Sequence, residues 1–258
     1  MKADVFTSSV DFLKAISETI YINRVYCEEK RVTTEIFDFC KWNQIVIELI
    51  TEIPVPAKLK SEDLEVGLGI VFGFGLIFTK EQISVYSSGI WNVHPGDLPK
   101  YRGRHPITSA FLNNERTIAV VIHKINELID QGELLAIDYV IREFRDDESA
   151  IISKIMSKIS TGLMSKALKN FKESNFALIK HATYNRNFLS GITISNSAKH
   201  TQLFLYNAIL AQSIHGGVEI EGERYVRAHF YTSEIEKKVG GIKIKCSDGH
   251  LLVFKKLD

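Results

Sequence analysis

The sequence predicts an α/β fold with a mostly parallel sheet, followed by a small β-rich unit. Three observations predict it. Strand-like and helix-like runs alternate over about the first 90 residues, the rhythm of a sheet whose strands are joined through helices. The same kinds of run continue to Phe171. Beyond Lys180 the character changes to the polar, turn-rich stretch HATYNRNFLSGITISNS, with short β-like runs after it. These features place one domain over residues 1–180 and a second over residues 181–258.

Taken in order, Ala3 to Phe6 is a strand candidate that ends in Thr7-Ser8-Ser9, a helix N-cap signal. Val10 to Ile20 then shows helical spacing, and Ile20 to Tyr26 has the β-branched and aromatic character of a strand. Thr33 to Trp42 reads as a helix and Ile45 to Ile50 as a strand, followed by the stiff link Ile53-Pro54-Val55-Pro56. Val66 to Phe72 is a buried strand candidate that ends in Gly73-Phe74-Gly75. Thr79 to Gln82 opens a short helix, Gly89 to Val93 is a strand, and Pro106 to Leu112 is helix-like. Ile118 to Ile125 and Leu134 to Ile141 are further strands around a turn at 126–132. From Asp146 to Phe171 the apolar residues keep helical spacing on one face. In the tail, Ala198 to Gln212 reads as a helix. Gly217 to Ile220, Tyr225 to Tyr231 and Gly241 to Leu252 read as strands, the last broken at Ser247-Asp248-Gly249.

Composition narrows the function classes. A net charge of +1 provides no bulk basic field for nucleic acid or an anionic membrane. Cys27, Cys40 and Cys246 are scattered without a CxxC pair, which argues for a reducing compartment and against a zinc site. MKADVFTSSVDFL lacks the apolar core of a signal peptide. The most apolar run, Val66 to Phe78, is too short to span a bilayer. The expectation is a soluble, cytoplasmic protein with no metal.

The stretch Gly89 to Ile107, GIWNVHPGDLPKYRGRHPI, holds three of the five prolines. Pro95 and Pro99 bias it toward an ordered, extended loop. Such a loop at the carboxyl end of a strand is where chemistry tends to sit. Asn92 and His94 stand two residues apart at that strand end, so their side chains share a side. An amide that donates to an oxyanion, beside an imidazole that takes a proton, suits acyl transfer to an amine. The pair reads equally as a turn with satisfied polar groups. Ile129-Asp130-Gln131-Gly132 is an acidic turn between strands, and as a plain surface turn it would hold Gly132 at positive φ. Gly73 and Gly75 either close a tight turn or admit a planar ligand to the backbone. No GxGxxG or P-loop is present, and the first turn has no glycine, which argues against a nicotinamide enzyme.

Asn92-Val93-His94-Pro95, Leu98-Pro99-Lys100-Tyr101-Arg102-Gly103, Pro106 and Ile129-Asp130-Gln131-Gly132 together resemble the formyltransferase family. They match its NxHPxxLPxYRGxxP loop and its later DxG turn. Its members use 10-formyltetrahydrofolate and include methionyl-tRNA, glycinamide ribonucleotide and nucleotide-sugar formyltransferases. The resemblance runs from Val66 to Phe171. It continues weakly into Gly191 to Ser195 and Tyr206 to Ile209. It departs at Gly96, Asp97 and Glu133.

The resemblance implies a Rossmann-like domain with a small β-rich domain after it, and a catalytic trio of Asn92, His94 and Asp130. It implies that Phe72, Gly73, Phe74, Gly75 and Leu76, with Leu128, Ile129, Gln131 and Gly132, hold the pterin end of folate, largely by backbone. Tyr101, Arg102, Gly103 and Arg104 fall where the acceptor would bind. Arg102 and Arg104 would serve a diphosphate, although Arg102 reads equally as a brace for the loop. Tyr101 and Tyr184 are candidates to stack on a base, whereas Trp91 reads as core. His105 and His123 have no assigned role and read as structural. The compact tail, RGRHP and VVIHKI are most like nucleotide-sugar N-formyltransferases of surface-polysaccharide synthesis. The implied partner is a nucleotide-linked amino sugar, with no nucleic acid and no membrane. Methionyl-tRNA and glycinamide ribonucleotide formyltransferases, or a silent folate- or nucleotide-binding relative, are the alternatives. Sugar-type members are often dimers, and the tail's apolar strands (Val226 to Tyr231, Ile242 to Ile244) offer an interface.

Overall fold

The computed structural model describes residues 1–55, 66–179 and 191–255. Pro56, Lys180, Tyr184 and the division expected at 180/181 lie outside the described residues. The chain forms two compact units. One comprises Met1–Gly103, Ala119–Tyr139 and Lys154–Thr183. The other comprises Arg104–Ile118, Val140–Ser153 and Tyr184–Asp258.

In the first unit the alternation becomes β1 (Lys2–Thr7), α1 (Val10–Ser17), β2 (Tyr21–Glu28), α2 (Thr34–Trp42), β3 (Val46–Ile50), β4 (Leu68–Phe72), α3 (Lys80–Ile83) and β5 (Ile90–His94). β6 (Thr117–Lys124) and β7 (Glu133–Ile141) follow the loop. Ser9 caps α1 by accepting the Phe12 N–H at 3.2 Å. Thr79 and Gln82 cap α3 reciprocally in a capping box. With β8 (Ala177–Leu178), the strands form one sheet in the order β3-β2-β1-β4-β5-β6-β7-β8. The pairs from β3 through β5 are parallel, while β5–β6 and β7–β8 are antiparallel. The sheet is mostly parallel, as the alternation predicts. β4 is buried at every residue, in keeping with its continuous apolar run. Beneath the strand ends, Phe6, Tyr26, Val71, Phe78, Tyr86 and Ile90 form a core cluster that Phe74 and Leu76 pack against.

The helix expected over Asp146 to Phe171 is interrupted. It forms as α5 (Glu148–Lys158), a π turn at Ile159–Leu163 and α6 (Met164–Lys172). Gly162, at φ 144°, leaves helical geometry while the apolar face continues past it. Periodicity alone does not register such a break.

In the second unit, α4 (Pro106–Leu112) starts with Pro106 at its first turn. The tail contributes α7 (Gln202–Ala211), α8 (Ser233–Val239) and two three-stranded sheets. These are β11 (Glu223–Tyr225), β10 (Val218–Ile220) and β9 (Thr193–Ile194), and then β12 (Arg227–Phe230), β14 (Gly249–Phe254) and β13 (Ile242–Cys246). The single strand expected over Tyr225 to Tyr231 is thus divided between two sheets. α8, capped by Thr232, follows it unexpectedly. Arg142 braces this unit through Asn114 at 3.2 Å and Asn207 at 3.1 Å while lying over the Phe111 ring.

Candidate active site

The site grows out of β5, where alternation divides the side chains. Trp91 and Val93 are buried at 0% and 1% exposure, and Trp91 packs edge-on against Phe171, the core role its sequence suggests. Asn92 and His94 share the other side. Antiparallel β6 sets His123 directly opposite Asn92, so the two side chains meet as a cross-strand pair. The turn after β6 then returns Asp130 to both.

That turn is built differently from the expectation. Gly132 does not hold a positive φ; the left-handed residue is Asp130, at φ 52°. Aspartate tolerates this region because its short polar side chain bonds locally. Gly132 is needed for a different reason. A Cβ there would come within 1.7 Å of the Lys124 carbonyl oxygen. Asn126 shapes the start of the turn, its Oδ1 accepting the Leu128 N–H at 2.9 Å.

Asp130 is the hub. Its Oδ2 accepts the Gly103 N–H at 2.7 Å and lies 3.8 Å from His94 Nδ1. Its Oδ1 is 3.3 Å from Asn92 Nδ2 and 3.4 Å from His123 Nε2. Asn92 Nδ2 is also 3.3 Å from His123 Nε2. His123 Nδ1–H donates to the Lys124 carbonyl at 2.8 Å, which leaves Nε2 as the ring nitrogen that faces Asn92 and Asp130. His94 Nε2–H donates to the Tyr101 carbonyl at 2.7 Å. The nitrogen left with a lone pair is therefore Nδ1, the one facing Asp130. The Tyr101 carbonyl, rather than Asp130, fixes the ring.

Electrostatics follow from burial. His94, 4% exposed, is pushed below the ordinary imidazole value by burial, and the Asp130 charge opposes this only partly. At neutral pH it is a neutral base. Burial pushes the Asp130 carboxyl up. The His123 hydrogen bond, the His94 and His123 charges and the Gly103 N–H outweigh burial and hold it well below the usual carboxylate range.

The proline loop is turned rather than extended, since Tyr101 N–H donates back to the Asp97 carbonyl at 2.7 Å. The Tyr101 side chain is buried at 4% exposure, with Lys100 over its ring, so its backbone carbonyl is what reaches the site. Arg102, 6% exposed, donates from Nε to the Ile129 carbonyl at 2.9 Å. It braces the loop against the acidic turn. Arg104 is exposed and belongs to the second unit, as does His105, whose ring stands edge-on to His215.

Phe72 is interior, stacked on Phe12 at 4.9 Å, and Phe74 meets Phe6 edge-on. Gly73 is exposed with φ 59°, and a Cβ there would meet nothing within 4 Å. This turn therefore sends its side chains inward and keeps its backbone outward. Lys80 pairs with Glu127 at 3.2 Å, which ties the segment after this turn to the one that carries Leu128 to Gly132. Leu128, Ile129 and Ile77 expose apolar surface at 52%, 40% and 74%. Glu133 pairs with Lys124 at 2.6 Å.

The sequence-predicted trio is thus gathered in one unit, and His123, which the sequence left without a role, stands inside it. The only advance signal was its place on the strand before the acidic turn.

A half-buried amide and carboxylate thus meet a buried imidazole at the end of a mostly parallel sheet, a candidate site for group transfer on an α/β scaffold. Residues 47–167 match the formyl transferase family. A methionyl-tRNA formyltransferase of Borreliella burgdorferi (strain ZS7) is 39% identical over 112 residues, which is 43% of this chain and 35% of that protein. One from Borrelia turicatae is 32% identical over 159 residues, covering 57% and 51%. The chain thus spans about a third to a half of the length of these curated relatives. Among solved structures, WlaRD, a sugar 3N-formyl transferase crystallised with dTDP and 5-N-formyl-THF, is similar over 100% of this chain and 99% of its own, with TM-score 0.68 and 18% identity. An N-formyltransferase of Helicobacter canadensis with folinic acid and dTDP-3-aminofucose is similar over 99% of both chains, with TM-score 0.67 and 17% identity. These two likenesses establish the shared fold.

Proposed function

We propose that this chain is an N-formyltransferase that moves a formyl group from 10-formyltetrahydrofolate to the amino group of a nucleotide-linked amino deoxysugar. Residues 1–180 would form the catalytic domain and 181–258 a small β-rich domain. The observation that carries the chemistry is the convergence of Asn92, His94 and Asp130, with His94 neutral and its Nδ1 turned toward the carboxylate.

In the mechanism, the neutral amine attacks the formyl carbon and a C–N bond forms, giving a tetrahedral oxyanion. His94 Nδ1 takes the amine proton, directly or through water, and the new imidazolium is stabilised by Asp130. The bond from the formyl carbon to N10 then breaks, and the proton passes to N10, leaving tetrahydrofolate and the formamide. Asn92 supplies the oxyanion contact. Both of its amide protons point inward, but across long 3.3 Å contacts. Redirecting one therefore costs little against about 3–4 kcal/mol from an oxyanion bond. The outward backbone of 72–76 and the turn at Leu128 to Gly132, flanked by exposed apolar side chains, fit a flat, partly apolar ring. Those segments would hold the pterin, and Tyr101 to Arg104 would border the acceptor.

The sugar acceptor is favoured by similarity over the whole chain to sugar N-formyltransferases, and by a net charge of +1, small for a tRNA-binding protein. Methionyl-tRNA is the second reading, favoured by 39% identity over 112 residues. We place the enzyme in the cytoplasm, as a homodimer, serving surface-polysaccharide synthesis. Among the described residues no helix is long and apolar enough to cross a membrane. Formyl transfer to a panel of amines, with amino-sugar nucleotides, glycinamide ribonucleotide and aminoacylated tRNA side by side, tests the reading. Turnover confined to tRNA would overturn the sugar assignment, and no turnover with any acceptor would overturn the enzyme. Sedimentation equilibrium tests the dimer.

A further inference from the structure

Glu28 ends β2 far in sequence from the catalytic loop, yet it is only 3% exposed. Its Oε1 accepts the Gly75 N–H at 2.8 Å and Arg31 Nη1 at 3.1 Å. The same Arg31 nitrogen donates to the Gly73 carbonyl. One carboxylate and one guanidinium thus grip the Gly73–Gly75 turn at both ends, the carboxylate through its N–H and the guanidinium through its carbonyl. A turn with two glycines has large backbone freedom. A ligand that reads its backbone must bear the entropy of ordering it unless the protein orders it beforehand.

We propose that Glu28 and Arg31 are positioning residues that pre-form the 73–75 turn for the formyl donor, so that they set donor affinity and leave the chemical step alone. This rests on the reading that the turn receives the donor's ring. Neither residue touches Asn92, His94 or Asp130 through any contact described above. Side chains of the turn lie against the core, so the clamp's effect is on which backbone groups face outward.

The test uses full-length protein and 5-formyltetrahydrofolate as a non-transferring probe, with steady-state kinetics alongside. Glu28→Gln and Arg31→Ala are each expected to weaken probe binding about tenfold, the loss of one charge-assisted hydrogen bond. The KM for 10-formyltetrahydrofolate should rise by the same factor, with kcat and acceptor KM within about twofold. Arg31→Lys should recover part of the loss. Because the Arg31 side chain is 46% exposed, its variants report even if Glu28→Gln folds poorly. Unchanged donor affinity in Arg31→Ala would overturn the clamp, as would equal falls in kcat and both affinities. If the wild-type chain itself fails to bind the probe, the donor reading falls and the clamp with it. Wild-type binding with no effect of either variant sinks the clamp alone.

Discussion

Asp130 accepts from one backbone amide and faces three other site residues, so its loss should spread further than the removal of a single contact. We expect Asn92→Ala and Asp130→Asn each to lower kcat by about 10²–10³-fold; near-normal formyl transfer by either purified variant would sink the assignment. Because burial sets His94 below 6.5, kcat/KM should rise with pH along an acid limb whose midpoint lies below that value, and then stay flat through neutrality. Asp130 raises the His94 value, so Asp130→Asn should move the acid limb to still lower pH. A midpoint above 6.5, or a shift upward in the variant, would contradict this electrostatic account. His123 holds Asn92 and Asp130 in register, and His123→Ala should cost about tenfold in kcat through their misplacement.

At the scale of elements, the turn from β6 to β7 carries the tightest geometric demand. Gly132→Ala would drive a methyl into the Lys124 carbonyl at 1.7 Å, and backbone cannot step aside as a side chain would. The expected loss is at least about 3 kcal/mol of stability, read as a lower urea midpoint; a midpoint within error of wild type would mean that the turn relaxes freely. The motif around Asn92 and the DxG turn could be read from the chain because both are contiguous and their residue types are uncommon together. The use of Gly132 could not, since its neighbour is a carbonyl eight residues earlier that only the folded turn brings close. Helix ends were legible where caps exist, at Ser9 and Thr79, and the break at Gly162 was hidden by an apolar face that continues past it.

For the whole molecule, charge bears on the acceptor. A small nucleotide sugar offers few phosphates, so acceptor KM should change by only a few fold between 50 and 200 mM salt, against about 10³–10⁵-fold for a partner gripped at six to ten phosphates. A steep dependence would favour the tRNA reading. The second unit shows why domain limits are hard to read from composition. Its core draws on Arg104–Ile118 and Val140–Ser153 as well as on the tail, and pattern along a chain carries no record of which distant segments share a core.

By itself the sequence determined the main strands of the sheet, because periodicity and proline and glycine placement are local properties, and its contiguous motifs carried the resemblance that implies the trio Asn92, His94 and Asp130 and the class of chemistry. Tertiary structure decided what each residue does with its neighbours. Register across β5 and β6 set His123 against Asn92, and the fold of the loop gave the Tyr101 carbonyl to His94 and left the lone pair on Nδ1. Burial then set the direction of the His94 and Asp130 titrations. These depend on distances between groups far apart in the chain, and such distances exist only once the sheet has formed.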